Sequence, residues 1–427
     1  MNTKMPLSEL PLPLLASVFS FCSAADLARC KCAAKCLGPA VDKAAAVSSK
    51  KVSERFYPTL DNDWSFSTPL ETFRQLTAEH IIVVRGFITY SFDVHSQVWK
   101  RCHDTRRDRG HFNSLFFRGE IYALGTYSVV AAGTVERYCP FRDYWSTVAS
   151  MPNKLRSVGG FVLDEQLYLC GGIASVTDHV SGLFYRLTDM NQGAAGAAGA
   201  AGAAGAVGEN RQWLGVEGLC LKLPRYNHAV VTFRGKVWIV GGCIADGAVT
   251  NTVEIVDFAA GTVEAGPSMC VKRDFVHTFV VDDVLYAVGG DFLVGAVHVR
   301  RTVEKFEFSS VNGDSGAGGL GRWVMVTELP TQRRGFSAAS HGSKIYVFGG
   351  STQTDADGVE QSTGVEQSTV GQAVKGELDM MKDTWDAFDT ASGAWTSAHV
   401  TDVTDMTMPE IDTWGQAATC PPQKITW

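Results

Sequence analysis

Five times along the 427-residue chain a short apolar stretch closes on glycine, with an aromatic residue three positions before the first glycine. The five are Ile121 to Gly125, Leu167 to Gly172, Val237 to Gly242, Leu285 to Gly290 and Ile345 to Gly350. A unit repeated at a near-constant period constrains architecture more than any single motif, because each copy must stack on its neighbours to bury its hydrophobic faces. The first glycines, Gly125, Gly171, Gly241, Gly289 and Gly349, lie 46, 70, 48 and 60 residues apart. The two long intervals contain a Gly-Ala run, 193–208, and a Gly/Ser-rich stretch, 309–321. Neither can form a packed core, so both read as surface loops, and without them the unit is roughly 45–50 residues.

Within each unit the order of elements repeats. A strand that starts after an arginine precedes the glycine-ended strand. A third strand follows, as in Thr134-Val-Glu-Arg-Tyr, Thr252-Val-Glu-Ile-Val and Thr302-Val-Glu-Lys-Phe, and a fourth opens with Trp145, Trp213, Trp323 or Trp395. Four short strands separated by turn residues make one propeller blade. The pairs Gly171-Gly172, Gly241-Gly242, Gly289-Gly290 and Gly349-Gly350, with the single Gly125, allow a central strand to turn abruptly at φ > 0.

A strand ending in Gly-Gly, an aromatic in the third strand and a following tryptophan resemble the kelch motif. A degenerate sixth copy fits ahead of the five, with Ile81 to Gly86, Ile88 to Phe92 and Trp99 in the corresponding places. The copies vary: the first and second have one glycine instead of two, and the fourth has Gly261-Thr-Val-Glu264 where the tryptophan is expected. The resemblance implies an all-β, six-bladed kelch propeller over residues 79–400. The first copy has no strand ahead of Ile81, so the C-terminal segment, 401–427, is expected to return through Asp412 to Cys420 and complete that blade, removing exposed sheet edges.

The leading 45 residues are of another kind. Leu10, Leu14, Leu15, Val18 and Phe19 fall at helical spacing with Pro11 in the first turn, and Ser23 with Asp26 opens a second helix that Gly38-Pro39 stops. The stretch Leu10 to Leu27 resembles an F-box, although the family's closing tryptophan segment is matched only by Ala33-Ala-Lys-Cys-Leu37. That implies a small α-helical F-box-like domain at 1–45, joined by a linker at 46–78, in which Leu10, Pro11, Leu14, Leu15, Val18, Phe19 and Leu27 pack against a Skp1-type adaptor. A secretory signal peptide is the competing reading of Lys4 and Leu12 to Ala25, with Glu9, the two prolines and the helix start at Ser23 against it.

A net charge of −7 argues against a nucleic-acid binder, and the Arg106-Arg-Asp-Arg109 cluster is too short to reverse that. Eleven cysteines fit no disulfide scaffold of a small secreted domain. Cys22, Cys30, Cys32 and Cys36 lack nearby histidines, so they read as small core residues and not as a zinc site. No apolar stretch reaches the ~20 residues that span a bilayer, and cytosol or nucleus is the expected location.

Counting back from the first glycine of each repeat, Arg109, Arg156, Arg225, Arg273 and Arg334 lie 16, 15, 16, 16 and 15 residues upstream. Equivalent positions form a ring in a closed propeller. One reading has these guanidiniums fork onto an acidic or phosphorylated peptide, with Tyr226, His228 and His277 on the same rim. The other has each arginine tie its own blade to the next through carbonyls or an acidic side chain. No catalytic motif, metal site or cofactor fingerprint stands out, and the histidines at blade starts read as structural. The combined resemblance implies the target-recognition subunit of a cullin-RING ubiquitin ligase, a scaffold that makes no covalent bond itself. The alternatives are a kelch interaction protein outside any ligase and a secreted, oxidase-like propeller.

Overall fold

The computed structural model describes residues 80–109, 112–126, 132–140, 142–189, 211–290, 302–308, 321–331, 333, 335–350, 384–399 and 415–420. The F-box-like stretch with its adaptor-facing residues, the linker, the Gly-Ala run and Arg334 lie outside them.

Six four-stranded antiparallel sheets account for the described chain. Blade II is built from Asn113–Phe117, Glu120–Leu124, Val135–Cys139 and Tyr144–Val148, hydrogen-bonded in that order. Blade III uses Gly159–Leu163, Gln166–Cys170, Leu183–Asp189 and Arg211–Cys220, and blade IV uses Ala229–Phe233, Lys236–Val240, Val253–Asp257 and Thr262–Gly266. Blade V comprises His277–Val281, Val284–Val288, Thr302–Glu307 and Arg322–Glu328, and blade VI comprises Ser337–His341, Lys344–Phe348, Thr384–Asp389 and Ala394–His399. Blade I takes His80–Arg85, Ile88–Asp93 and Trp99–Arg101 from one end of the chain and its first strand, Gly415–Cys420, from the other. The first strands touch one another from blade to blade around the full circle, so the six sheets stand radially about a closed axis.

The second strands read as unbroken apolar runs because each is covered on both faces by neighbouring blades; Ile121 to Leu124, Val237 to Val240 and Ile345 to Phe348 are buried throughout. Fourth strands, on the rim, are only partly buried; in Tyr144–Val148, Trp145 and Val148 are covered while Tyr144 and Thr147 are exposed. Their tryptophans do more than fill space. Trp145 Nε1 donates to Thr89 Oγ1 of blade I and to His103 O beyond it, Trp213 Nε1 to Ala149 O, and Trp323 Nε1 to Pro267 O. Each indole thus ties its blade to the chain leaving the preceding blade, with the polar edge of the ring satisfied.

Antiparallel order places the connections from second to third strand, and from fourth strand to the next blade, at one end of the ring, the end where the glycine pairs lie. At that end Gly241 and Gly242 have φ of +63° and +89°, and a Cβ on Gly242 would stand 2.5 Å from the Tyr226 carbonyl oxygen. Only glycine lets the second strand of blade IV stop this close to its neighbours.

Candidate binding face

Four blades carry a buried ion pair at the glycine end. Arg109, Arg225 and Arg273 are fully buried and face Glu136, Glu254 and Glu304, with shortest N–O distances of 2.8, 2.7 and 2.8 Å; in blade VI, Arg333 faces Asp386. In blades II, IV and V the remaining donors also have internal work, whereas Arg333 Nε of blade VI is buried without a partner among the described residues. Arg225 Nη1 donates to Gly241 O at 3.0 Å and Thr252 O at 3.1 Å, while its own carbonyl accepts from Gly172 N of blade III at 2.9 Å. Arg273 repeats the pattern on Gly289 O and Thr302 O, its carbonyl accepting from Gly242 N of blade IV at 2.7 Å. The carboxylates reach back to the inter-blade chain, Glu254 accepting from Lys222 N and Leu223 N, and Glu304 from Cys270 N. Each pair is a rivet between two blades. Burial lowers the guanidinium pKa of Arg109, Arg225 and Arg333, and the facing carboxylate raises it again.

The reading of Arg109, Arg225 and Arg273 as rim groups offered to an acidic partner is therefore corrected: their charge is spent inside, on an acidic side chain and on carbonyls. The periodic position is also corrected. In blades II, IV, V and VI the riveting residue lies 16 positions before the first glycine, and in the last it is Arg333, the neighbour of Arg334. In blade III the same place is held by Leu155. The short pairings agree, since Leu155 lies opposite Ala174 and Arg156 opposite Ile173, as Arg225 lies opposite Ile244 and Tyr226 opposite Cys243. Across from Leu155, Tyr185 occupies the place of the acid, and the two share one apolar cluster.

This register shows what does face outward. Arg156, Tyr226 and Asp274 follow the riveting position in blades III, IV and V and are all partly exposed. Arg156 Nη2 contacts Asp178 Oδ1 at 3.0 Å. Burial, and after it the coupled thiol of Cys243, pushes the Tyr226 phenol up to about 12, so it is a neutral hydrogen-bonding group near neutral pH. Next come Ser157, Asn227 and Phe275, at φ of +55°, +52° and +51°. Asn227 N donates to Ser157 O at 3.1 Å and Phe275 N to Asn227 O at 3.0 Å, a backbone chain that locks the lip of three consecutive blades. Holding non-glycine residues there costs of order 1 kcal/mol each. An arc of cation, phenol and carboxylate is thus carried on a stiff rim.

His228 and His277 sit below this rim. His228 is 4% exposed, its Nε2 lies 3.6 Å from Cys170 Sγ, and burial lowers its pKa to about 3. His277 stacks near Phe279 and Phe336, and burial lowers it to about 4. Both are neutral near pH 7 and too weakly basic to serve as general bases there. Among the described residues no group of three or more His, Cys, Asp and Glu is placed to hold a metal ion.

Residues 224–269, which span blade IV and its entry, match the family model described as the Kelch motif. Alpha-scruin of Limulus polyphemus is 28% identical over 135 residues, 30% of this chain and 13% of that protein. Kelch-like protein 23 of Homo sapiens is 24% identical over 233 residues, 54% of this chain and 36% of that protein. A protein of Arabidopsis thaliana named as an F-box/kelch-repeat protein is 35% identical over 71 residues, 17% of this chain and 18% of its own length. The matched stretches thus span between about an eighth and about a third of these relatives.

Proposed function

We propose that this kelch-type, six-bladed all-β propeller is a protein-interaction scaffold that holds a partner on its glycine-end face and carries out no covalent chemistry. The observation that carries the reading is the rigid lip with Arg156, Tyr226 and Asp274 at one repeat position, above histidines that burial keeps neutral. The likeness to kelch-like protein 23 supports the kelch-type reading of the propeller. A double variant, Tyr226→Ala with Asp274→Asn, should lose the proteins that co-purify with the full chain while its unfolding midpoint stays near that of the parent. An unchanged set of co-purifying proteins would remove the face from consideration.

The finer reading is a target-recognition subunit of a Skp1–cullin–F-box ubiquitin ligase, working by raising the local concentration of a target lysine near the conjugating enzyme. Two observations support it: the Leu10 to Leu27 motif, and the likeness to a plant protein named for an F-box with kelch repeats. His80, the first described residue, and its partner Cys420 lie at the end of the ring remote from the glycines. Leu14→Asp with Leu15→Asp should abolish co-purification of a Skp1-like protein and leave propeller partners in place. Retention of that protein would refute the ligase assignment and favour an interaction protein outside any ligase.

A further inference from the structure

The junction of blades I and II carries a feature the glycine-end face does not explain. The chain leaving blade I reads Trp99-Lys-Arg-Cys-His-Asp-Thr-Arg-Arg-Asp108. Lys100, Arg106 and Arg107 are exposed, as is Arg142 on the adjoining turn of blade II, and none of their charged heads forms an ion pair among the described residues, whereas Arg101 pairs with Asp104 at 2.8 Å and His103 lies 3.1 Å from Asp143. Elsewhere on the ring exposed arginines stand singly, Arg234 paired with Asp283 at 2.6 Å and Arg322 with Glu307 at 3.8 Å, while Arg118 donates to the Glu165 carbonyl at 3.1 Å. Lys100, Arg101, Arg106 and Arg107 outnumber Asp104 and Asp108 in this stretch, so a chain of net charge −7 has a locally positive surface here.

Aromatic surface lies in the same place. Tyr144 is 49% exposed, with the Arg106 guanidinium 5.5 Å from its ring centroid and bonded to its hydroxyl. Phe87, 45% exposed, is held beside the connection by the bond from Thr105 N to Phe87 O at 2.8 Å. The backbone beneath is fixed: Arg106 N donates to Glu136 Oε1, His103 N to Asp143 Oδ1 at 2.8 Å, and the Trp145 indole to His103 O. Arginine and tyrosine on a stiff support, with charge to spare, are the groups that dominate protein recognition energetics.

We propose that this junction is a second docking surface, on the blade I and II side of the ring and distinct from the arc that blades III to V carry, and that its occupant is an acidic linear segment of a partner protein. Carboxylates of that segment fork onto Arg106 and Arg107, with Lys100 and Arg142 flanking them, and an apolar side chain packs on Tyr144 and Phe87. A protein segment is favoured over a nucleic acid because the few cations here are set in a molecule whose net charge repels a long polyanion. The inference rests on the reading of the propeller as a protein-binding body.

The probe is a fluorescein-labelled octapeptide with four glutamates and two leucines, followed by anisotropy against the full chain at 50 mM salt. Binding should fall at least tenfold in Arg106→Glu/Arg107→Glu, about fivefold in Tyr144→Ala, and vanish when the four glutamates become glutamines. All three side chains are exposed, so unchanged unfolding midpoints are expected. Parental affinity in the charge-reversed variant, or equal binding of the glutamine peptide, overturns the proposal; so does tighter binding of an eight-nucleotide thymidine strand. Failure here leaves the scaffold reading intact if Tyr226→Ala/Asp274→Asn still strips the co-purifying proteins. Loss of neither activity in either variant would end both.

Discussion

Replacing Arg273 by leucine tests the rivet directly. The guanidinium and Glu304 are both fully buried, and Arg273 meets that carboxylate through Nη2 at 2.8 Å and Nε at 3.1 Å, along with Thr302 Oγ1 at 2.8 Å and two carbonyls. Removing one partner leaves a buried carboxylate without its counter-charge and carbonyls without donors, for an expected loss of about 3–5 kcal/mol. That is a large share of the ~5–15 kcal/mol typical of a folded protein. Glu304→Tyr alone should cost a similar amount by stranding the arginine. The double variant, Arg273→Leu with Glu304→Tyr, copies the Leu155 and Tyr185 arrangement of blade III and removes both charges together. It should be less destabilised than the sum of the singles by about 2 kcal/mol or more. Equilibrium urea unfolding followed by tryptophan fluorescence reports the cycle, with buried Trp323 in the same blade. Additivity within about 0.5 kcal/mol, or a loss under about 1 kcal/mol for Arg273→Leu, would refute the view that these pairs fasten the blades.

Other expectations can be checked with the same equipment. Gly242→Ala places a Cβ 2.5 Å from the Tyr226 carbonyl at φ +89° and should cost well over 2 kcal/mol. Gly235→Ala, at φ +73° with open space around it, should cost only about 1 kcal/mol. His228 has a folded pKa near 3 against an unfolded value near 6.5, so the unfolded chain binds the extra proton first and stability is lost as pH falls below about 6.5. The loss is roughly 2 kcal/mol by pH 5, and His228→Gln should flatten that slope relative to the parent in urea titrations at pH 7 and pH 5. Ending the chain at Trp414 removes the first strand of blade I and bares the edge of His80–Arg85; light scattering should then show association that the full chain does not.

The blades were legible because their signals are local. A glycine that must turn at φ > 0, an aromatic three residues before it and a tryptophan opening the last strand each report on a few neighbouring residues, and stacking does the rest. The sequence left Arg109, Arg225 and Arg273 open between rim and inter-blade tie, because spacing does not say which way a side chain points. The decisive clue lay in a joint absence: copies with arginine 16 before the glycine also have an acid in the Thr-Val-Glu or Thr-Trp-Asp step, and blade III has neither. That coincidence also separates Arg333 from Arg334 and removes Arg156 from the set. The lip residues Ser157, Asn227 and Phe275 carried no such mark, since three unlike side chains share one unusual backbone conformation only in the folded ring. Tyr226 and Asp274 became legible as surface groups only once that register was known.

The strand that closes blade I lies antiparallel to its neighbour with Cys420 opposite His80, so both chain ends leave from the same edge of one sheet. A pull applied between them loads the pairing rung by rung, as a zip is opened, and not all rungs at once as in shear. The ring is consequently mechanically soft along this one direction, because a pull opens one strand pair while the other five sheets carry no load. A bound assembly that drags on both ends would open blade I long before any other.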